Sequence, residues 1–308
     1  MPSAAFRALL EQSIDYAGTF PPCSLELEPA LRNQAQYVRD PDAWMLGTFV
    51  LAMGKFDAAA GNLSLFDREH PLLISALEAK TANADEFSNT LKIAAEKIRS
   101  FSAEHVDLVS ARQLEMPLPQ DVDLGSLAKA RSVLEGLKLQ AFWETPVDSA
   151  EETIALLAEH NSTTGAAQFG YKLRTGGVTA DAFPASQQIA RALVAAAKQR
   201  VPIKFTAGLH HPIRQFRDEV KTKMHGFLNV LGAAVLAAEH QWDEQQTSKM
   251  LEDENGTSFS FSDALFAWGK WKIATDQIKT RRKLVTSFGS CSFDEPREDL
   301  RALNLPTS

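Results

Sequence analysis

Two lysines on successive strand-like segments carry the strongest chemical signal in this sequence. Residues 166–214 (AAQFGYKLRTGGVTADAFPASQQIARALVAAAKQRVPIKFTAGLHHPIR) run as a strand pattern, a Gly-rich turn, a helix, a second strand pattern and a loop. Along the first strand Gln168, Gly170, Lys172 and Arg174 alternate with Phe169, Tyr171 and Leu173. Along the second, Lys204, Thr206 and Gly208 alternate with Ile203, Phe205 and Leu209. Parallel strands are usually apolar on both faces. An apolar face beside a lysine-bearing one fits a strand covered outside by helices and facing the interior of a barrel. Burial and a neighbouring cation both favour the neutral amine, and a neutral amine attacks a carbonyl carbon to form a Schiff base. The same lysines are plain cations if they pair with Asp107 or Glu144, or grip a phosphate.

Elements that position such a pair are legible along the chain. Strand-like segments recur near 15–20, 44–53, 71–78, 106–110, 137–144, 167–174, 202–208 and 227–230. Helical periodicity separates them, as in 26–38, 83–100 and 149–160, the last with Glu151 and Glu152 in a first turn that favours anions. Strands alternating with helices imply a right-handed parallel α/β arrangement. Eight of them predict a (β/α)8 TIM barrel. An open dinucleotide-binding sheet would call for a Gly-x-Gly-x-x-Gly turn, which is not found at a first strand-to-helix junction. We expect a single domain over 1–308, an N-terminal helix at 3–14, and a C-terminal helical extension and tail over 242–308. Within the latter, 261–283 reads as one long helix containing Trp268 and Trp271.

Catalytic groups in such barrels sit at the C-terminal ends of strands. That selects Glu144, Lys172, Arg174, Lys204, His210, His211 and Asn229, with Asp107 if its side chain faces inward. Arg174 followed by Thr175, Gly176 and Gly177 suits an anion, since converging backbone amides and a guanidinium both bind one. His210, His211 and Asn229 are candidates for substrate hydrogen bonds. A rival reading makes Glu144, His210 and His211 ligands of a divalent metal in a hydrolase or isomerase. Adjacent residues on an extended segment point opposite ways, however, and no His-x-His or His-Glu-x-x-His motif is present. His225 reads as lying near the start of the last strand, at the wrong end of the barrel. A third reading is a non-catalytic barrel that binds an anion at the Gly-rich turn. Asp15, Tyr16 and Phe20 stand where a first-strand loop caps a barrel mouth. Cys291 has no base partner by spacing and reads as a buried tail residue.

Composition narrows the partners. The 308 residues are 44 % hydrophobic and 23 % charged, which a soluble globular chain accounts for. A net charge of −7 with scattered basic residues gives no nucleic-acid footprint. The longest apolar run, 226–238, is too short to span a bilayer, and the first residues lack a secretory pattern. Two cysteines far apart in sequence, Cys23 and Cys291, argue against a disulfide scaffold and fit a reducing cytoplasm. A homo-oligomer is compatible with all of this.

The segments Val106-Asp-Leu-Val109, Leu137-Lys138 with Glu144-Thr145, Tyr171-Lys172-x-x-Thr-Gly176 and Lys204-x-x-Ala-Gly208 occur in an order that resembles class I aldolases, nearest to the deoxyribose-phosphate aldolase type. The resemblance covers roughly residues 104–214. It implies Lys172 as the Schiff-base lysine, Lys204 as the cation that lowers its pKa, and Asp107 as an aid to proton transfer. The family's Ser after the lysine is Arg174 here, and its Gly-Gly-Ile-Arg is Gly208-Leu-His-His-Pro-Ile-Arg214. Both departures fall where the family contacts its phosphorylated substrate, so they imply a different substrate. The expectation is a cytoplasmic lyase that takes a small carbonyl compound, with an anionic group at Arg174 and neither cofactor nor metal.

Overall fold

A computed structural model describes residues 1–163 and 168–305. Strands β1 (Ile14–Tyr16), β2 (Leu46–Ala52), β3 (Leu72–Leu77), β4 (Val109–Pro117), β5 (Gln140–Glu144), β6 (Gly170–Arg174) and β7 (Ile203–Thr206) lie in sequence order around a barrel. A hairpin of β8 (Gln215–Arg217) and β9 (Thr222–Met224) follows, then an antiparallel sheet of β10 (Phe259–Phe261), β11 (Leu265–Trp268) and β12 (Trp271–Ala274). Strand β13 (Val285–Ser290) inserts between β7 and β1 and closes eight parallel strands into a (β/α)8 TIM barrel.

The helices are α1 (Ala4–Leu10), α2 (Leu27–Tyr37), α3 (Phe56–Ala60), α4 (Ala84–Glu104), α5 (Leu124–Leu134), α6 (Ala150–Ser162), α7 (Ser186–Gln199), α8 (Phe227–His240), α9 (Glu244–Leu251), α10 (Thr275–Arg281) and α11 (Asp294–Ala302). Their starts and buried stripes follow from local sequence. Asn83 caps α4 by accepting the Glu86 amide at 2.9 Å, and Phe87, Leu91, Ala94 and Ile98 form its buried stripe. Asp123 caps α5 in the same way through Ser126. Tyr171, Leu173, Ile203 and Phe205 are buried in the apolar core, which leaves Lys172 and Lys204 on the other face of β6 and β7. Among the described residues, no helix is long and apolar enough to cross a membrane.

Three expectations change. Residues 227–230 are not the eighth strand but the first turn of α8, and β13 supplies that strand. An apolar run fits a buried helix as well as a buried strand, and α8 is buried along nearly its whole length. Strand β13 reads as a tail because its inward side is small and polar: Ser287 meets Asp15, and Gly289 lines the mouth. Within the 242–308 segment, residues 285–290 therefore belong to the barrel wall, alongside helices α9, α10 and α11. Residues 261–283 are not one helix either. Trp268 and Trp271 pair across a tight turn whose Gly269 adopts φ +55°, and helix begins only at Thr275. The strand expected from 167 starts at Gly170, and residues 166–167 lie outside the described ones.

Candidate active site

Register brings the lysines together. Lys172 on β6 stands beside Lys204 on β7 on one side and beside Glu144 on β5 on the other. Both ammonium groups are buried, and three carboxylates from other strands meet them. Lys172 Nζ lies 2.8 Å from Glu115 Oε2 and 2.9 Å from Glu144 Oε2. Lys204 Nζ lies 2.6 Å from both Glu115 Oε1 and Asp15 Oδ2, and it also donates to Gln113. Glu115 thus bridges the two lysines, and Ser75 Oγ donates to it at 2.5 Å.

Asp15 is fixed more completely than any other acid in the cluster. Its Oδ1 accepts the Thr48 amide at 2.6 Å and the Thr48 hydroxyl at 2.8 Å, while Oδ2 accepts Ser287 at 2.5 Å along with Lys204. Gly47 makes room for this, since a Cβ there would stand 2.3 Å from Asp15 Oδ1. Glu144 is the least confined. Among the described residues its Oε1 faces only the Arg174 guanidinium, at 3.7 Å, and Arg174 is itself 55 % exposed.

The resulting electrostatics run against the expected lowering of the Lys172 pKa. Burial disfavours the Lys172 ammonium, but Glu115 and Glu144 outweigh it and hold its pKa above the ordinary lysine value. Burial likewise opposes charge on Glu115, and Lys172 and Lys204 overcome it, so that carboxyl is held far below its usual range. Resting Lys172 is an ammonium ion in a carboxylate clamp. Its third N–H has no partner among the described residues, whereas Asp15, Glu115 and Gln113 take all three of Lys204.

This cluster floors a cavity of about 210 Å³ at the C-terminal mouth of the barrel. Lys172, Lys204 and Glu115 lie at its base, and Phe20, Pro21, Val50 and Leu77 line it higher up. Gly177, Gly208 and His210 also face it. Gly176 lies behind, packed so closely on Gly208 that a Cβ on Gly176 would come within 2.9 Å of the other's Cα. Arg174 lines both this cavity and a wider groove of about 990 Å³ that runs past Glu144, Lys80 and Phe183. A small molecule that enters the cavity therefore meets amine and carboxylate at its inner end and a guanidinium at its outer end.

Several predicted residues fall elsewhere. Asp107 precedes β4, at the opposite end of the barrel; its side chain is 57 % exposed and stands 3.9 Å from Arg68. Strand β4 begins at Val109, three residues later than the strand expected from Val106, and Glu115 holds the inward position at its far end. The segment 111–115, a polar stretch in the sequence, continues β4, and its inward residues Gln113 and Glu115 are polar because the strand lines this site. Asn229 does not reach the cavity: it accepts the Arg214 amide and donates to the Met250 and Asp253 carbonyls, joining the segment before β8 to the C-terminal end of α9. His211 turns to Asp299 at 2.5 Å, and His210 stands 3.3 Å from Glu295. Neither converges with Glu144, and among the described residues no group of three or more His, Cys, Asp or Glu is arranged to hold a metal ion. His225 follows β9 rather than opening a barrel strand. It meets the Pro184 carbonyl at 2.8 Å, and burial lowers its pKa to about 4.

No family model matches the chain, and no curated protein matches it.

Proposed function

We propose that this chain is an aldolase-type lyase in which Lys172 forms an imine with a small carbonyl compound. The observation that carries this reading is the clamp itself: a buried primary amine on the floor of a cavity at the barrel mouth, with one N–H unused among the described residues and the Glu144 carboxylate beside it. Lys172 is charged at rest, so reaction requires a proton acceptor when the carbonyl arrives. Glu144 is that acceptor, because among the described residues its second oxygen is held only at long range, by Arg174. The neutral amine adds to the carbonyl carbon, and the carbinolamine loses its oxygen as water with the proton returned from Glu144. The iminium then draws the electron pair of the bond between its α- and β-carbons. The β-hydroxyl gives its proton to Glu144, and the β-carbon leaves as a carbonyl product. The enamine takes that proton at its α-carbon, and water hydrolyses the remaining iminium to release the second product and the amine. Glu115, Asp15 and Lys204 hold the geometry and keep the floor polar. The buried part carries three carboxylates against two ammonium groups, so a substrate's anionic group belongs at Arg174 and its uncharged carbonyl end at the floor. A cytoplasmic setting agrees with two cysteines that are both free thiols.

Borohydride trapping with small aldehydes and keto acids, followed by peptide mapping, tests the proposal. A reduced adduct on Lys172 that disappears in Lys172→Arg is expected; adducts confined to surface lysines would overturn it. The raised pKa of Lys172 favours one second reading, in which the ammonium stabilises an enolate by hydrogen bonding without a covalent bond. That chemistry exchanges the α-hydrogens of a carbonyl compound in deuterated water and leaves no trapped adduct.

A further inference from the structure

A second reactive pair sits at the rim of the same cavity. Cys23 lies in the loop between β1 and α2, and Cys291 directly follows β13; both are free thiols. They are 268 residues apart in sequence, yet their sulfurs approach to 2.7 Å, roughly 0.7 Å beyond a disulfide bond of about 2.05 Å. Cys23 is exposed to solvent, whereas Cys291 is buried and lines the cavity. His210 Nδ1 lies 3.9 Å from the Cys291 sulfur, within reach of its proton.

The loop that carries Cys23 also forms part of the cavity wall, through Ala17, Phe20, Pro21 and Pro22. Within itself it is held by the Phe20 amide on the Ala17 carbonyl and the Leu25 amide on the Gly18 carbonyl. It is tied to β13 by the Ala17 amide on the Ser290 carbonyl at 2.7 Å. A covalent link one residue beyond Ser290 would fasten the far end of the loop to the same strand end and fix the wall across the mouth.

We propose that Cys23 and Cys291 form a reversible disulfide that latches this loop over the barrel mouth and restricts entry to Lys172. The oxidant is a low-molecular-weight disulfide. The exposed Cys23 thiol attacks it, releasing one small thiol and leaving a mixed disulfide on Cys23. The Cys291 sulfur then attacks the Cys23 sulfur, its proton passes through His210 to the departing thiolate, and a second small thiol leaves. The protein loses two protons and two electrons, and the small disulfide gains them. A dithiol reductant reverses the sequence.

The test uses the full chain, reduced and then exposed to oxidised glutathione. Intact mass and a non-reducing peptide map are expected to show loss of two hydrogen atoms and a cross-linked Cys23–Cys291 peptide that dithiothreitol cleaves. Entry to the floor is read by reductive methylation with formaldehyde, which labels any accessible amine and so does not depend on the imine reading. Methylation of Lys172 is expected to slow at least roughly tenfold on oxidation, while the exposed Lys270 is unaffected. Cys23→Ser is expected to be methylated at the reduced rate with or without oxidant. A product that stops at glutathionylated Cys23 with a free Cys291 overturns the latch. So does a complete cross-link that leaves Lys172 methylation unchanged.

Discussion

Two ion networks, each built on a buried cation, differ in what they leave unfinished. Beneath α11, Arg297 reaches Asp40 at 2.8 Å and also pairs with Asp42 and Asp294, while Arg301 binds Asp42 from the next turn. The Tyr37 hydroxyl donates to Asp294 at 2.6 Å, and the Arg297 guanidinium lies over the Phe293 ring at 4.5 Å. None of these groups lines the cavity at the barrel mouth. Inside the barrel, Lys204 is equally committed, but among the described residues its neighbour Lys172 keeps a free N–H, and Glu144 keeps an oxygen held only loosely. Buried charges in a protein are ordinarily paired. What marks the barrel cluster as chemical is its spare capacity on the side that opens to a cavity.

The sharpest way to break this contrast is to remove the fixed lysine. Lys204→Met leaves Asp15 and Glu115 short of a cation, and we expect a loss of about 3–5 kcal/mol in urea denaturation. Glu144→Gln should do the opposite: trapping at Lys172 slows roughly a hundredfold, and the unfolding midpoint barely moves. Arg297→Met should cost about 2 kcal/mol and leave the trapping rate of the folded protein as it was. Equal trapping rates in Glu144→Gln and Arg297→Met would erase the distinction drawn between the networks.

Acid sensitivity separates them further. The Glu115 pKa lies below its unfolded value, so its contribution is present above the ordinary glutamate pKa and is lost as pH falls through the folded value. Lys172 is shifted upward, so its contribution is complete below the ordinary lysine pKa and is lost as pH rises through the folded one. Melting temperature measured from mild acid to alkali should therefore show a broad plateau. In Glu115→Gln the acid limb should be shallower, because one fewer carboxylate has to be protonated on unfolding. The smallest effect belongs to Arg174→Gln: half-saturation for an anionic aldehyde in the trapping assay should rise roughly three- to tenfold, with a neutral aldehyde unaffected.

How much of this was legible in the sequence depended on which side of a strand carried the signal. Lys172, Lys204 and Glu144 were found because each lies on a strand whose other face is conspicuously apolar, as Tyr171, Phe205 and Trp143 attest. Glu115 was missed because β4 places Gln113 and Glu115 inward and a half-exposed start outward, which mimics a loop. The Val-Asp-Leu-Val motif then drew attention to Asp107, at the wrong end of the same strand. Asp15 was visible only as part of a capping loop, since its role depends on Gly47 and on β13, and no local pattern reveals a neighbour 272 residues away. The eighth strand was obscured for a related reason. A short, small-residue strand wedged between two others gains its stability from pairing on both edges rather than from its own hydrophobicity.

That wedge also sets the order in which the molecule can be built. As the chain emerges, β1 through β7 form an open sheet in sequence order, and residues 207–284 must follow before β13 arrives. Until then both outer strands present unpaired edges, which invite association with other chains. Closure over so long a stretch of sequence makes the final step slow relative to the local helices and hairpins. Asp15 sits on one edge strand and Lys204 on the other, so each waits as an uncompensated charge until the barrel closes and brings them to 2.6 Å. A nascent chain halted before residue 285 would be vulnerable to aggregation for two reasons at once, and a folding helper that shields sheet edges would act on this protein late, at its last quarter.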